Sequence, residues 1–192
     1  MVRYRTIVAD PPWPYEGFAS DPTSGRSLPP SRREHVRVEF MPYRELSLTE
    51  IAALPVADLA DSDCRLFLWT TNRYLPDAHN LIRVWRFKYV QLLVWHKTGN
   101  PSPFGGSIAP NHAEYLLVAV TGKPKLLGRL PTNVIGVAAQ RLHSQKPEHF
   151  LDMVEMVSPG PYVELFARRH RLGWDVWGDQ SANTAELTVW PT

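Results

Sequence analysis

Short apolar runs alternate with amphipathic stretches along the chain, which is the pattern of an α/β protein. The apolar runs are rich in β-branched, leucine and aromatic residues, and most are bounded by proline, glycine or polar residues. They predict strands over residues 6–9, 65–71, 89–95, 115–120, 133–138, 162–167 and 174–177.

Three helices are predicted between these strands. The segment Ser47-Leu48-Thr49-Glu50 is a capping box, and the helix that it opens is interrupted or ended by Pro55. Pro76 suits the first turn of a second helix, and Pro147 starts a third. Apolar residues recur at helical spacing at Ala78, Leu81, Ile82 and Trp85 in the second, and at Phe150, Val154 and Val157 in the third.

Length and composition point to one globular domain over residues 1–192, of which 181–192 form a polar tail. Hydrophobic residues make up 44% and charged residues 21%, which excludes a disordered chain. No apolar run approaches the roughly 20 residues that span a bilayer, and the run Ile7–Ala9 is too short for a signal peptide. A single cysteine, Cys64, excludes an internal disulfide and a cysteine-based zinc finger. We expect a soluble, cytoplasmic protein.

The net charge of +2 does not by itself indicate a nucleic-acid partner. The positions of the arginines say more, because they gather in two groups. One comprises Arg26, Arg32, Arg33, Arg37 and Arg44, and the other Arg168, Arg169 and Arg171. They are either solvated loop residues or two loops that face phosphates.

Two segments, residues 14–44 and 97–112, are too long to be simple connections. Each follows a predicted strand. Ligands of open α/β sheets bind outside the carboxyl ends of strands, so both segments are candidate substrate loops or lids of one crevice.

The motif Asp10-Pro11-Pro12-Trp13 ends the first predicted strand. An aspartate and a proline carbonyl offer acceptors for a group with two N–H donors, such as the amino group of adenine, and tryptophan offers a face for stacking. Two alternatives explain these four residues equally well, namely a rigid proline turn and a docking motif for a partner domain.

Further blocks follow this motif in a recognisable order. They read RLFLWTTN; Asn111-His112 with Glu114 and LLVAVTGKP; HSQKPEHF; VELFARRH; and GWDVWGDQ. With ADPPW, these blocks resemble the MT-A70 family of S-adenosylmethionine-dependent adenine N6-methyltransferases, from Thr6 to Gln180. The resemblance implies a Rossmann-like methyltransferase fold, with a mostly parallel sheet and helices on both faces. Its motif order is permuted, so the strand ending at Asp10 comes first and the cofactor strand comes late.

The resemblance also implies which residues bind S-adenosylmethionine. Lys146 is expected to hold the methionine carboxylate, and Asp10 to lie between the cofactor and the target base. The remaining expected cofactor contacts are Glu164, Arg168, His170, Asp179 and Gln180. Taken alone, Lys146 is better explained as a solvated lysine, and His170 as an ordinary surface histidine. Glu164 is different, because a carboxylate inside the apolar run of residues 162–167 needs a partner.

The activity implied is methyl transfer to the N6 amino group of adenine in nucleic acid. Asp10, Pro11, Pro12 and Trp13 are the expected catalytic residues, and the expected substrate contacts are Trp13, Tyr15, Arg32, Arg33, Asn111 and His112. We expect no metal site, because the histidines lack metal-ligand spacing. DNA is favoured over RNA, because the sequence has neither a zinc finger nor an RGG tract.

Three alternatives stay open at this point. The chain could methylate RNA, it could be a non-catalytic nucleic-acid-binding subunit of a methyltransferase complex, or it could be a generic α/β nucleotide-binding domain. The intact Asp10-Pro11-Pro12-Trp13 motif argues against the non-catalytic subunit. A domain of this size has little surface for reading the nucleic-acid sequence. A homodimer or a partner subunit would supply more.

Overall fold

The computed structural model describes residues 2–14, 45–99, 108–138, 146–179 and 182–185. Within these ranges the strands are β1 (Tyr4–Ala9), β2 (Ala60–Thr70), β3 (Lys88–Thr98), β4 (Ala113–Thr121), β5 (Val134–Ala138), β6 (Tyr162–Leu165) and β7 (Trp174–Trp177). The helices are α1 (Leu48–Ala53), α2 (Val56–Leu59), α3 (Leu75–Val84) and α4 (His149–Val157). None of these helices is long and apolar enough to cross a membrane.

All of these strands join one sheet in the order β5-β3-β4-β2-β1-β6-β7. β1 pairs in parallel with β2 and β6, β7 with β6, and β5 with β3. β4 alone runs against its neighbours β2 and β3. The predicted mostly parallel α/β sheet is therefore confirmed, with one reversed strand. Because β4 is reversed, its amino end lies at the sheet edge where the other strands have their carboxyl ends.

Helices cover both faces of the sheet, as predicted. Alternate residues of each strand point to opposite faces, so Ile7 and Leu66 pack with Ile82 of α3 on one side. Val8 packs with Val154 of α4 on the other side.

The local signals in the sequence produce the expected helix ends. Ser47 Oγ accepts from the Glu50 amide at 3.2 Å, and Glu50 Oε2 accepts from the Ser47 amide at 2.7 Å, which completes the capping box. Pro55 follows α1 and precedes the short helix α2. Pro76 lies in the first turn of α3.

Several strand boundaries differ from the prediction. β2 begins at Ala60 rather than Arg65, because its pairing with β1 extends back to Tyr4 across an irregular register. β3 extends to Thr98, so the second long loop starts later than predicted. β6 ends at Leu165 because Phe166 has a φ of 64° and turns the chain away from the sheet.

Candidate active site

Asp10 follows β1 directly, between the carboxyl ends of β2 and β6. Its amide donates to the Leu165 carbonyl at 3.4 Å, which joins the start of the motif to β6. Pro11 and Pro12 are buried. The Trp13 amide donates to the Pro11 carbonyl at 2.8 Å in a tight turn. The backbone that carries the Asp10 carboxylate is therefore held on both sides.

Lys146 holds the Asp10 carboxylate from the segment that precedes α4. Its Nζ lies 2.9 Å from Asp10 Oδ1 and 2.8 Å from Asp10 Oδ2. The same Nζ lies 3.2 Å from Glu114 Oε2 and 5.3 Å from the centroid of the Trp69 ring. Lys97 binds the other oxygen of Glu114. We call Asp10, Lys146, Glu114 and Lys97 the lysine–carboxylate network.

The charges of this network stabilise one another. Burial acts to lower the pKa of Lys146, but the carboxylates of Asp10 and Glu114 outweigh it and raise that pKa. Burial acts to raise the pKa of Glu114, but Lys146 and Lys97 outweigh it and lower that pKa. Lys146 is therefore protonated and Glu114 ionised at neutral pH.

Glu164 lies on β6, opposite Val8 of β1, close to the same edge. Within the described ranges, no hydrogen bond or ion pair reaches its carboxylate. Burial and the neighbouring charge of Asp10 raise its pKa to about 7, while Arg169 and Lys146 act in the opposite direction. This carboxylate is therefore placed to accept hydrogen bonds from a ligand that lies beside Asp10.

The other predicted cofactor residues lie on the loops that follow β6 and β7. Arg168 is half-buried, while His170 and Asp179 are exposed. The two loops touch, because the Ala167 amide donates to the Trp177 carbonyl at 3.0 Å. A Cβ at Gly178 would lie 2.3 Å from the Ala167 carbonyl oxygen, so this contact requires glycine.

Asn111 and His112 precede β4, whose reversal brings them to the same edge as Asp10. Asn111 Oδ1 accepts from the Ala113 amide at 3.3 Å, and the His112 carbonyl accepts from the Lys97 amide at 2.8 Å. Both side chains are half-buried. They lie at the end of the second long loop, immediately before β4.

The Trp13 side chain is buried rather than exposed. Its side chain is 3% exposed, its ring stacks on Tyr74 with centroids 5.3 Å apart, and its Nε1 donates to the Trp69 carbonyl at 3.2 Å. This placement favours a packing role that anchors the motif to the core. Stacking of a base on Trp13 stays a prediction, and it requires the ring to be uncovered.

Four predicted site residues lie outside the described ranges, namely Tyr15, Arg32, Arg33 and Gln180. Most of the first long loop and residues 100–107 of the second lie outside them too. The expected roles of these residues remain predictions.

Comparison with known proteins agrees with the predicted order of blocks. The family model described as MT-A70 matches residues 4–180. The chain belongs to the MT-A70 family. This confirms the family that the sequence resembles.

The curated relatives of this MT-A70 chain differ in how much of them it covers. It is 31% identical over 183 residues to the Type II methyltransferase M.MunI of Mycoplasma sp, covering 92% of this chain and 77% of the relative. It is 30% identical to the N(6)-adenosine-methyltransferase MT-A70-like protein of Drosophila melanogaster, covering 93% of this chain and 27% of the relative. It is 29% identical to the N(6)-adenosine-methyltransferase catalytic subunit METTL3 of Homo sapiens, covering 93% of this chain and 28% of the relative. The chain thus spans most of the first relative and about a quarter of the others.

Glu114 and Lys97 of this MT-A70 chain were not among the site residues predicted from the sequence. Glu114 carried a signal, since it is a carboxylate at the start of an otherwise apolar strand. Lys97 carried none, because a lysine near the end of a strand is ordinary. Their positions on two antiparallel strands bring them together beside Lys146.

Proposed function

We propose that this MT-A70 chain transfers a methyl group from S-adenosylmethionine to the N6 amino group of adenine in nucleic acid, with DNA favoured over RNA. The observation that carries the proposal is the position of Asp10. Its carboxylate lies at the carboxyl end of a central strand, is oriented by Lys146 through both oxygens, and is followed by a rigid turn.

The amino nitrogen of adenine is a poor nucleophile, because its lone pair is delocalised into the ring. Asp10 and the Pro11 carbonyl are expected to accept its two N–H groups, which orients the nitrogen and stabilises the positive charge that develops on it. The Pro11 carbonyl accepts one bond from Trp13, and its second lone pair is available for this contact. Since the proton can leave after methyl transfer, no dedicated strong base is required.

Several described residues offer donors and acceptors that suit S-adenosylmethionine. When bound, that cofactor supplies an electrophilic methyl group on a sulfonium. The Glu164 carboxylate, which has no protein partner in the described ranges, fits the hydroxyl groups of a ribose. Lys146 is the cation expected to hold the methionine carboxylate. Its three N–H groups already face Asp10 and Glu114, so this contact requires one of those bonds to be exchanged. Arg168, His170, Asp179 and Gln180 are expected to complete the pocket.

The target adenine must leave its stack to reach Asp10, so it is either flipped from a duplex or already single-stranded. Asn111 and His112, at the edge that carries Asp10, are expected to contact the nucleic acid, together with Tyr15, Arg32 and Arg33. DNA is favoured because this chain covers 77% of the Type II methyltransferase M.MunI but only 27% and 28% of the two N(6)-adenosine-methyltransferase relatives. A second copy or a partner subunit is expected to enlarge the contact surface.

The test is nucleoside mass spectrometry after the chain and S-adenosylmethionine are incubated separately with duplex DNA, single-stranded DNA and RNA. We expect N6-methyladenine in the DNA pools, and none with Asp10→Ala or with the near-isosteric Asp10→Asn. Product in the RNA pool alone would overturn the DNA preference. Unchanged turnover in Asp10→Ala would refute the assignment. Cofactor binding without product in any pool would favour a non-catalytic subunit.

A further inference from the structure

Lys97 reaches Glu114 from the neighbouring strand. Trp95 of β3 pairs directly with Glu114 of β4, and Lys97 follows Trp95 by two residues on the same face of the sheet. Diagonal neighbours of this kind on antiparallel strands are within reach of long side chains. The Lys97 ammonium donates to Glu114 Oε1, while Lys146 Nζ lies 3.2 Å from Glu114 Oε2. Each oxygen of this carboxylate therefore has its own lysine.

The two carboxylates of the lysine–carboxylate network differ in how many cations hold them. Among the described residues, Lys146 alone forms an ion pair with Asp10, at 2.9 and 2.8 Å from its two oxygens. Glu114 pairs with Lys97 as well as with Lys146. Glu114 therefore keeps a cation when Lys146 turns away, whereas Asp10 does not.

A ligand that brings a carboxylate to Lys146 must displace one of the contacts that its ammonium already makes, because an ammonium has only three N–H groups. The contact with Glu114, at 3.2 Å, is the longest of the three. It is also the one whose loss leaves neither carboxylate without a cation. The geometry thus selects the Glu114 contact for exchange and preserves the two contacts that orient Asp10.

Two buried tryptophan rings hold the two lysines at separate positions. Lys97 Nζ lies 4.8 Å from the centroid of the Trp95 ring, within the range of a cation–π contact. Lys146 Nζ has the equivalent contact with Trp69, at 5.3 Å. The Trp95 indole is itself fixed, because its Nε1 donates to the Val137 carbonyl at 2.8 Å. The position of Lys97 beside Glu114 therefore does not depend on Lys146.

The exposure of the network makes the charge of Lys97 important. The side chains of Lys97, Glu114 and Lys146 are 16%, 14% and 18% exposed, so they border solvent without being freely hydrated. A carboxylate in such a place is costly to leave without a cation. Without Lys97, Lys146 would be the shared cation of Asp10, Glu114 and the carboxylate of the ligand.

We propose that Lys97 is a positioning residue for cofactor binding, because it keeps Glu114 paired while Lys146 exchanges its Glu114 contact for the carboxylate of S-adenosylmethionine. This inference rests on the proposed function, in which Lys146 holds that carboxylate. Lys97 acts through Glu114 and is not expected to touch the cofactor. Its effect on affinity is therefore confined to ligands that carry the carboxylate.

The test compares two ligands by isothermal titration calorimetry of the full chain. S-adenosylhomocysteine carries the carboxylate, whereas 5′-methylthioadenosine has the same nucleoside and sulfur without the amino-acid group. We expect Lys97→Met to weaken binding of S-adenosylhomocysteine about tenfold, and to change the affinity for 5′-methylthioadenosine less than about twofold. Lys97→Arg keeps the charge and is expected to retain most of the affinity for S-adenosylhomocysteine.

Lys88→Met is the matched control, because Lys88 is exposed at the start of the same strand. We expect it to leave both affinities unchanged. A double variant shows whether Lys97 acts through Glu114. Once Glu114→Gln has removed the charge that Lys97 pairs, the further change Lys97→Met is expected to weaken S-adenosylhomocysteine binding less than about twofold.

The possible results separate this inference from the proposed function. A natural chain that does not bind S-adenosylhomocysteine would overturn both the cofactor assignment and the role of Lys97. Full affinity for S-adenosylhomocysteine in Lys97→Met, or an equal loss for both ligands, would overturn the positioning role alone. An undiminished effect of Lys97→Met in the Glu114→Gln background would do the same, and this arm decides the matter if 5′-methylthioadenosine binds too weakly to measure.

Discussion

The ammonium of Lys146 bridges both carboxylate oxygens of Asp10, at 2.9 and 2.8 Å, although the two residues are 136 positions apart. Asp10 directly follows β1, and Lys146 lies just before α4. The pair joins the first strand of the chain to the segment expected to hold the cofactor. It also gives the carboxylate one orientation before a substrate arrives, and such preorganisation is a main source of catalysis in polar sites.

Removal of the Lys146 charge is expected to disable the site. Lys146→Met keeps the length of the side chain but leaves Asp10 and Glu114 without their shared cation. We expect kcat/KM for methyl transfer to fall at least about 100-fold, the scale of losing one oriented electrostatic contact. Lys88→Met is the matched control, because Lys88 is exposed at the start of β3. Equal losses in both variants would contradict a role for Lys146 at the site.

The ion pairs of Glu114 are expected to matter more for stability than an exposed pair does. The Glu114 side chain is 14% exposed and binds two lysines, so Glu114→Gln is expected to lower the free energy of unfolding by about 3 kcal/mol at pH 7. Glu148→Gln is the control, since Glu148 is 65% exposed and pairs only with Arg169 among described residues. We expect it to cost less than about 1 kcal/mol. Urea unfolding of both variants measures the difference.

The lowered pKa of Glu114 also predicts a pH dependence. A carboxyl whose folded-state pKa lies below its unfolded value stabilises the fold above the unfolded pKa. This contribution is lost as the pH falls from about 4.5 through the folded-state pKa. The difference between the natural chain and Glu114→Gln should therefore shrink below pH 4.5. A difference that stays constant to pH 3 would contradict the ion pairs.

Glu164 is expected to behave in the opposite way. Its folded-state pKa is raised to about 7, so it holds a proton in the fold while it is ionised in the unfolded chain. Its contribution to the free energy of unfolding therefore decreases as the pH rises from about 4.5 to about 7, by up to about 3 kcal/mol. Glu164→Gln should be more stable than the natural chain at pH 8 and similar to it at pH 4.5.

The same carboxyl gives a test of cofactor binding by calorimetry. If the ionised form of Glu164 accepts the cofactor hydroxyls, affinity for S-adenosylmethionine should fall up to about tenfold per pH unit below pH 7. Glu164→Gln should bind weakly and lose this dependence. An affinity that is flat between pH 5.5 and 8 would argue against the contact.

Gly178 is expected to be irreplaceable at the junction of the loops that follow β6 and β7. Gly178→Ala would place a Cβ 2.3 Å from a backbone carbonyl oxygen, so the loops must separate. We expect a lower melting temperature and weaker cofactor binding. Gly136→Ala is the control, because among the described residues its Cβ would meet only the methyl group of Thr98, at 3.6 Å. Similar effects in both variants would contradict the close approach of the two loops.

Local patterns were enough to predict the elements and the family. The capping box at Ser47 and the proline at position 76 act within one helical turn, so neighbours in the sequence specify them. The apolar runs predict strands for the same reason, since the pattern of apolar residues is contained within each segment. The blocks from Thr6 to Gln180 keep their order along the chain, and that order indicates the MT-A70 family.

Other features depend on which strands become neighbours in the sheet, and this is decided by pairing between distant segments. The reversal of β4 brings Glu114 to the edge that carries Asp10, and no local pattern specifies that reversal. From the sequence, the Trp13 ring is predicted to stack on a base. In the fold it stacks on Tyr74, because burial of both rings is favourable. Arg86 has an ordinary sequence context, and only the turn that leaves α3 gives it a left-handed backbone. The chemistry at the edge that carries Asp10 thus arises from residues that are far apart in the chain and are joined by long-range packing.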